Sequence, residues 1–167
     1  MKFISICQGD IILHPIGGVI APVLGWFLWL FNRWWDRKLW HMSIAWRCLY
    51  TGIEVMESQA SGVKFSFYSW DKLKGHAIYH IKEAVDYKVM DKFAREHLGC
   101  PYDADAYIGT ALSILMRYYL RVHFRIVDKS YYCWELAEEW LREIGECPVP
   151  PYQYLLITDL AREAEEF

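Results

Sequence analysis

The sequence has no paired cysteines. Its five, at positions 7, 48, 100, 133 and 147, are scattered singly. That pattern excludes a disulfide scaffold and a zinc ribbon, and it fits a reducing, cytoplasmic compartment. There is no excess of positive charge: the net charge is -3, and Arg33, Arg37 and Lys38 form only a local basic cluster. No nucleic-acid partner is therefore expected. No Gly-x-Gly-x-x-Gly or Walker pattern accompanies Gly17-Gly18, so no phosphate-cradling loop is expected. The N-terminal residues turn polar too soon for a signal peptide, as Gln8-Gly9-Asp10 shows. Repeats and Gly/Ser-rich linkers are also missing, which leaves a single domain over 1–167 as the expectation.

What the chain has in plenty is aromatic surface. Nine tryptophans and an aromatic share of 17% go with 54% hydrophobic residues, both high for a soluble protein. Much of this sits in one stretch. Pro15 to Phe31 runs 17 residues without a charge, is interrupted by Gly17, Gly18, Pro22 and Gly25, and leads into Asn32-Arg-Trp-Trp-Asp-Arg-Lys38. It lies at the lower edge of a membrane span, which needs about 20 residues. Aromatics beside basic residues are typical of an interfacial segment. Residues 15–38 are thus an apolar insertion that spans a membrane, contacts a membrane surface or packs on its own domain.

Strand patterns flank it. Ile11–His14 follows a turn at Gln8-Gly9-Asp10. Leu39–Trp46 alternates, with His41, Ser43 and Ala45 on one side and Trp40, Met42, Ile44 and Trp46 on the other. Ile53–Ser58, Val63–Tyr68 and His76–Ile81 continue what reads as an antiparallel meander. The period then becomes helical at Glu83–Leu98, at about Tyr107–Phe124, and at Ser130–Gly145. Pro148, Pro150 and Pro151 break the chain, Tyr154–Ile157 reads as extended, and Thr158 is placed to cap a last helical turn. The fold class expected is α+β.

The Ser130–Gly145 helix carries the most informative cysteine. Leu136, Ala137, Trp140, Leu141 and Ile144 form its apolar stripe; Glu135, Glu138, Glu139, Arg142 and Glu143 take the other face. Cys133 lies in the first turn, in register with the stripe. Unpaired N–H groups and the positive end of the helix dipole favour a thiolate there and an oxyanion beside it. A buried core thiol is the plainer alternative. A nucleophile also needs a base and a group to orient that base. His41, with small neighbours on its strand face, leaves room for a helix end to approach. A turn at 49–51 sets His41 opposite position 58, within one residue of Glu57, with Ser58 and Gln59 as alternatives. His76 and His80 share a spacing but lack the glutamate of a zinc-protease helix, and neither a metal nor another cofactor is called for. Cys100, before Pro101, has only His97 nearby in sequence.

An ordered set of pieces gives a resemblance. Gln8-Gly-Asp-Ile-Ile12, His41-Met-Ser-Ile-Ala45, Val55-Met-Glu-Ser58 with Gly62-Val63, Gly99-Cys-Pro-Tyr-Asp103, Tyr132-Cys-Trp-Glu-Leu136 and Thr158-Asp-Leu-Ala161 span nearly the whole chain. The set resembles the circularly permuted papain-like amidases and peptidases of the YaeF/YiiX group, within the NlpC-type superfamily. The resemblance implies an antiparallel sheet packed against helices and a catalytic pair of Cys133 and His41. It puts Glu57 at the third polar position and Tyr102 and Tyr132 near the site, with Tyr132 lining the oxyanion pocket. Trp134 stands where the family often has serine, which implies a narrowed cleft. The family's late proline is missing at Thr158-Asp-Leu160. The implied activity is hydrolysis of peptide-like or peptidoglycan-like amides through an acyl-thioester. Residues 15–38 keep two alternatives open: a lipid acyl hydrolase or acyltransferase resembling lecithin–retinol acyltransferase, and a non-catalytic membrane-associated binding protein.

Overall fold

The computed structural model describes residues 5–15, 39–102, 131, 133–150, 155, 157–161 and 163–167. Six strands form one antiparallel sheet: β1 (Ile11–Pro15), β2 (Leu39–Leu49), β3 (Gly52–Gln59), β4 (Gly62–Ser69), β5 (Ala77–Tyr79) and β6 (Glu165–Glu166). Their spatial order is β4-β3-β2-β1-β5-β6. Three helices are described: α1 (Tyr87–His97), α2 (Cys133–Glu143) and α3 (Ile157–Ala161). The architecture is α+β. No helix among the described residues is long and apolar enough to cross a membrane. The apolar insertion at 16–38 and the helix expected near 107–124 lie outside the described residues.

The expected meander holds for β2, β3 and β4 and then stops. A 3-10 turn over Trp70–Leu73 redirects the chain, and β5 pairs with β1 on the far side of β2. It is shorter than the alternation at 76–81 suggested, so His76 and His80 both fall outside it. Glu83–Leu98 is likewise trimmed. Asp86 caps α1 by accepting from the Lys88 N–H at 2.8 Å, so the helix starts at Tyr87. Thr158 lies inside α3 rather than capping it, because the helix begins one residue earlier.

Alternation on the strands builds two apolar layers. Ile11, Leu13, Met42, Ile44, Trp46 and Met56 pack on one face with α1, α2 and α3, through Phe93, Trp140 and Leu160 among others. Ile12, Ala45, Ile53, Val55 and Ile78 form the second layer, closed by Leu73, Tyr68, Trp70 and Phe167. Each large side chain so buried contributes about 1.5–3 kcal/mol. Trp140 ties the first layer together: it is fully buried, its Nε1–H donates to the Gly9 carbonyl at 2.8 Å, and its ring meets Phe93 edge-on.

The stripe on α2 is as expected, and its end is a glycine stop. Gly145 has φ 75°, and the Glu146 N–H returns to the Leu141 carbonyl at 2.7 Å. The polar face differs from expectation. Glu135 and Glu138 are buried. Glu138 accepts from Arg142 and from the Leu155 N–H at 2.8 Å, while Arg142 also donates to the Val149 and Pro150 carbonyls. A carboxylate that looks like solvent-facing charge is therefore a tether for the proline-rich segment. Periodicity could not reveal this, since the partners come from another part of the chain.

Candidate active site

His41 stands in the third position of β2. Its Nε2 lies 2.6 Å from Glu57 Oε2, and the carboxylate is fully buried. The register differs slightly from expectation. A bulge between Ala45 and Arg47 shifts the pairing, so Ile44 faces Met56. Continued by one residue, that register sets Ser43 opposite Glu57, and His41 reaches the carboxylate diagonally, within range of a long side chain. Of the two alternatives, Gln59 donates to Glu57 Oε1 at 2.6 Å. Ser58 points elsewhere: its hydroxyl donates to the Tyr131 carbonyl, pinning the chain two residues before Cys133.

Cys133 is the first residue of α2 and is buried. Its sulfur is near enough to His41 to raise that imidazole's pKa. The approach is not the one expected. Helix α2 packs on the face that carries Met42 and Ile44, whereas His41 alternates onto the other face with Ser43 and Ala45. The two side chains meet where both elements start. Because Nε2 is taken by Glu57, the ring's Nδ1 is left for the sulfur.

Electrostatics hold this imidazole in its charged form. Burial opposes the charge, but the Cys133 sulfur and the Glu57 carboxylate outweigh it, and the pKa of His41 rises to about 10. Glu57 is pulled the other way. Burial raises it, and hydrogen bonds from His41, Ser66 and Tyr68 more than offset that, so its pKa is lowered. The Tyr68 hydroxyl donates to Glu57 Oε2 at 3.2 Å, and burial with the adjacent carboxylate pushes that phenol up.

Further histidines surround the pair. His14 pairs directly with His41 across β1 and β2, with ring centroids 5.0 Å apart. Its Nε2 is 2.7 Å from Ser43 Oγ. His76 meets the His14 ring edge-on at 4.8 Å. Burial, followed by the charges of His41 and His76, holds His14 well below the usual imidazole range. Ring or carboxylate atoms of His14, His41 and Glu57 lie within 4.8 Å of one another. Neither His14 nor Tyr68 stands out in the sequence. Only the registers β1–β2 and β3–β4 bring them beside His41.

The other candidate residues separate. Trp134 is buried among the core side chains that include Cys133, Leu136 and Trp140. Tyr102 is half-buried and packs against the same layer. Tyr132 lies outside the described residues. His80 is claimed by Asp10, with Nδ1 2.9 Å from Oδ2, and so does not join His76 at a common site. Cys100 interacts with the Glu96 carbonyl through its thiol, and its own carbonyl accepts from Val63. All five cysteines are free. Neither a comparison with protein-family models nor one with curated proteins finds a match.

Proposed function

We propose that this chain is a cysteine-dependent hydrolase with a circularly permuted papain-like fold, acting on peptide-like amide bonds. The observation that carries this reading is His41, held between the Glu57 carboxylate at 2.6 Å and the Cys133 thiol. Glu57 orients the ring and balances the imidazolium. His41, held in its charged form, carries the proton taken from Cys133, and the sulfur attacks the substrate carbonyl carbon. The oxyanion so formed is held by the free N–H groups of the first turn of α2. His41 then returns its proton to the leaving amine. Water, deprotonated by the same imidazole, releases the acid from the thioester.

A thiol-directed acyl probe tests the proposal. The adduct is expected on Cys133 and is expected to vanish in His41→Ala. Equal labelling of all five cysteines would sink it. A lipid acyl substrate is the second reading, favoured by the uncharged, tryptophan-rich run at Pro15–Phe31. Cosedimentation with anionic liposomes, together with turnover of a phospholipid ester, supports it; no cosedimentation and no ester turnover rejects it.

A further inference from the structure

Three neighbouring strands each deliver one donor to a single spot: His14 from β1, His41 from β2 and Glu57 from β3. The donor atoms lie within 4.8 Å of one another, His14 and Glu57 are buried, and His41 is 23% exposed. Two imidazoles and one carboxylate are the donor set of an open tetrahedral zinc centre, with a fourth position left for water. The surroundings resemble a supporting shell. Ser43 fixes the His14 ring at 2.7 Å, while Gln59 and Tyr68 hold the Glu57 carboxylate. Behind His14 lies His76, more than nine-tenths buried, whose Nδ1 has no hydrogen-bond partner among the described residues. A buried nitrogen beside the cluster is thus a polar atom that no described residue satisfies.

We propose that His14, His41 and Glu57 bind one divalent transition-metal ion of the zinc class, and that metal occupancy and thiol chemistry at Cys133 exclude each other. The ion takes the place of the proton between His41 Nε2 and Glu57 Oε2, and the proton so displaced returns the Cys133 sulfur to its thiol form. The two donors must part from 2.6 Å to roughly 3.3 Å, the donor separation set by tetrahedral bonds of about 2.0–2.1 Å. A neutral imidazole has one nitrogen lone pair. Once the metal takes it at Nε2, Nδ1 keeps its hydrogen and is a donor only. His41 then has no lone pair to accept the proton of Cys133. Metal binding stands on the His-His-Glu geometry alone; the exclusion rests on the cysteine-hydrolase reading.

Cobalt(II) chloride titration, followed by visible absorption, tests the two parts separately. The expected spectrum is that of one tetrahedral ion per chain without a sulfur-to-cobalt charge-transfer band. Affinity is expected to fall at least about tenfold in His14→Gln and to persist in Cys133→Ser. Glu57→Gln, checked for folding by circular dichroism, is the second ligand variant and is expected to lose affinity similarly. No saturable binding, binding indifferent to both ligand variants, or a charge-transfer band that Cys133→Ser removes would overturn the metal site. Zinc chloride is then added before iodoacetamide. Slower labelling of Cys133 in the wild type, but not in His14→Gln, supports the exclusion; labelling unchanged at saturating zinc refutes it. Cys133 that is unreactive even without metal counts against the hydrolase reading and removes the exclusion with it, while the cobalt spectra still decide the metal site.

Discussion

At His41 burial and charge pull in opposite directions, and charge wins. A group whose pKa rises on folding, here from 6.5 to about 10, stabilises the folded state fully below the lower value. That contribution is lost as pH rises through the upper one. The difference in unfolding free energy between wild type and His41→Gln, measured by urea titration, is therefore expected to shrink from pH 6.5 towards pH 10. A difference independent of pH would contradict it. Glu57 has the opposite sign, because its pKa is lowered on folding. Its contribution is present above its ordinary value of 4.5 and fades as pH falls through its folded value. Cys133, His41 and Glu57 could be picked out as candidates from residue type, helix position and strand spacing, with Ser58 and Gln59 as alternatives to Glu57. His14 could not, because an isolated histidine before a proline carries no signal until its cross-strand partner is known.

Elements are joined by a few exacting contacts. Gly62, in the turn into β4, has φ 98°, and a Cβ there would stand 2.6 Å from the Cys100 carbonyl oxygen. Both the conformation and the approach require glycine. Gly62→Ala is expected to cost about 2 kcal/mol in chemical denaturation, with loosening of the 99–100 segment visible in hydrogen exchange. Asp10 plays a comparable part between β1 and the end of β5. It is fully buried and accepts from the Cys7 N–H, the Ile81 N–H and His80 Nδ1. Asp10→Ala removes the charged acceptor that these three donors share, and a loss of about 2 kcal/mol is expected. Strands β2 to β4 were legible because alternation and short turns agree. The extent of β5 and α1 was not, since Ile81 and Val85 pack against the core without extending their elements.

Across the whole molecule, α2 joins the sheet to Cys133. Trp140 anchors it, touching the Gly9 carbonyl and Phe93 from the middle of the first core layer. Trp140→Phe keeps most of the apolar volume but leaves the Gly9 oxygen without its donor, which is expected to cost about 1–2 kcal/mol. Trp140→Ala opens a cavity as well, with about 3–5 kcal/mol lost. If α2 positions Cys133, the larger change is also expected to abolish the selectivity of a thiol probe for that residue. Retained selectivity at reduced stability would show that the thiol is positioned by other contacts.

By itself the sequence determined the α+β class of the fold and picked out Cys133, His41 and Glu57 as candidates. Period-two and period-3.6 patterns are local, and a cysteine at a helix start is a local feature too. The tertiary structure decided how these groups meet. The β2 bulge moved the register so that His41 reaches Glu57 diagonally, and pairing of β5 with β1 turned the sheet away from a simple meander. It also gathered His14 and His76 behind the His41 imidazole and buried Glu138 against residues far along the chain. These are long-range contacts, fixed by packing and register, and no window of the sequence contains them.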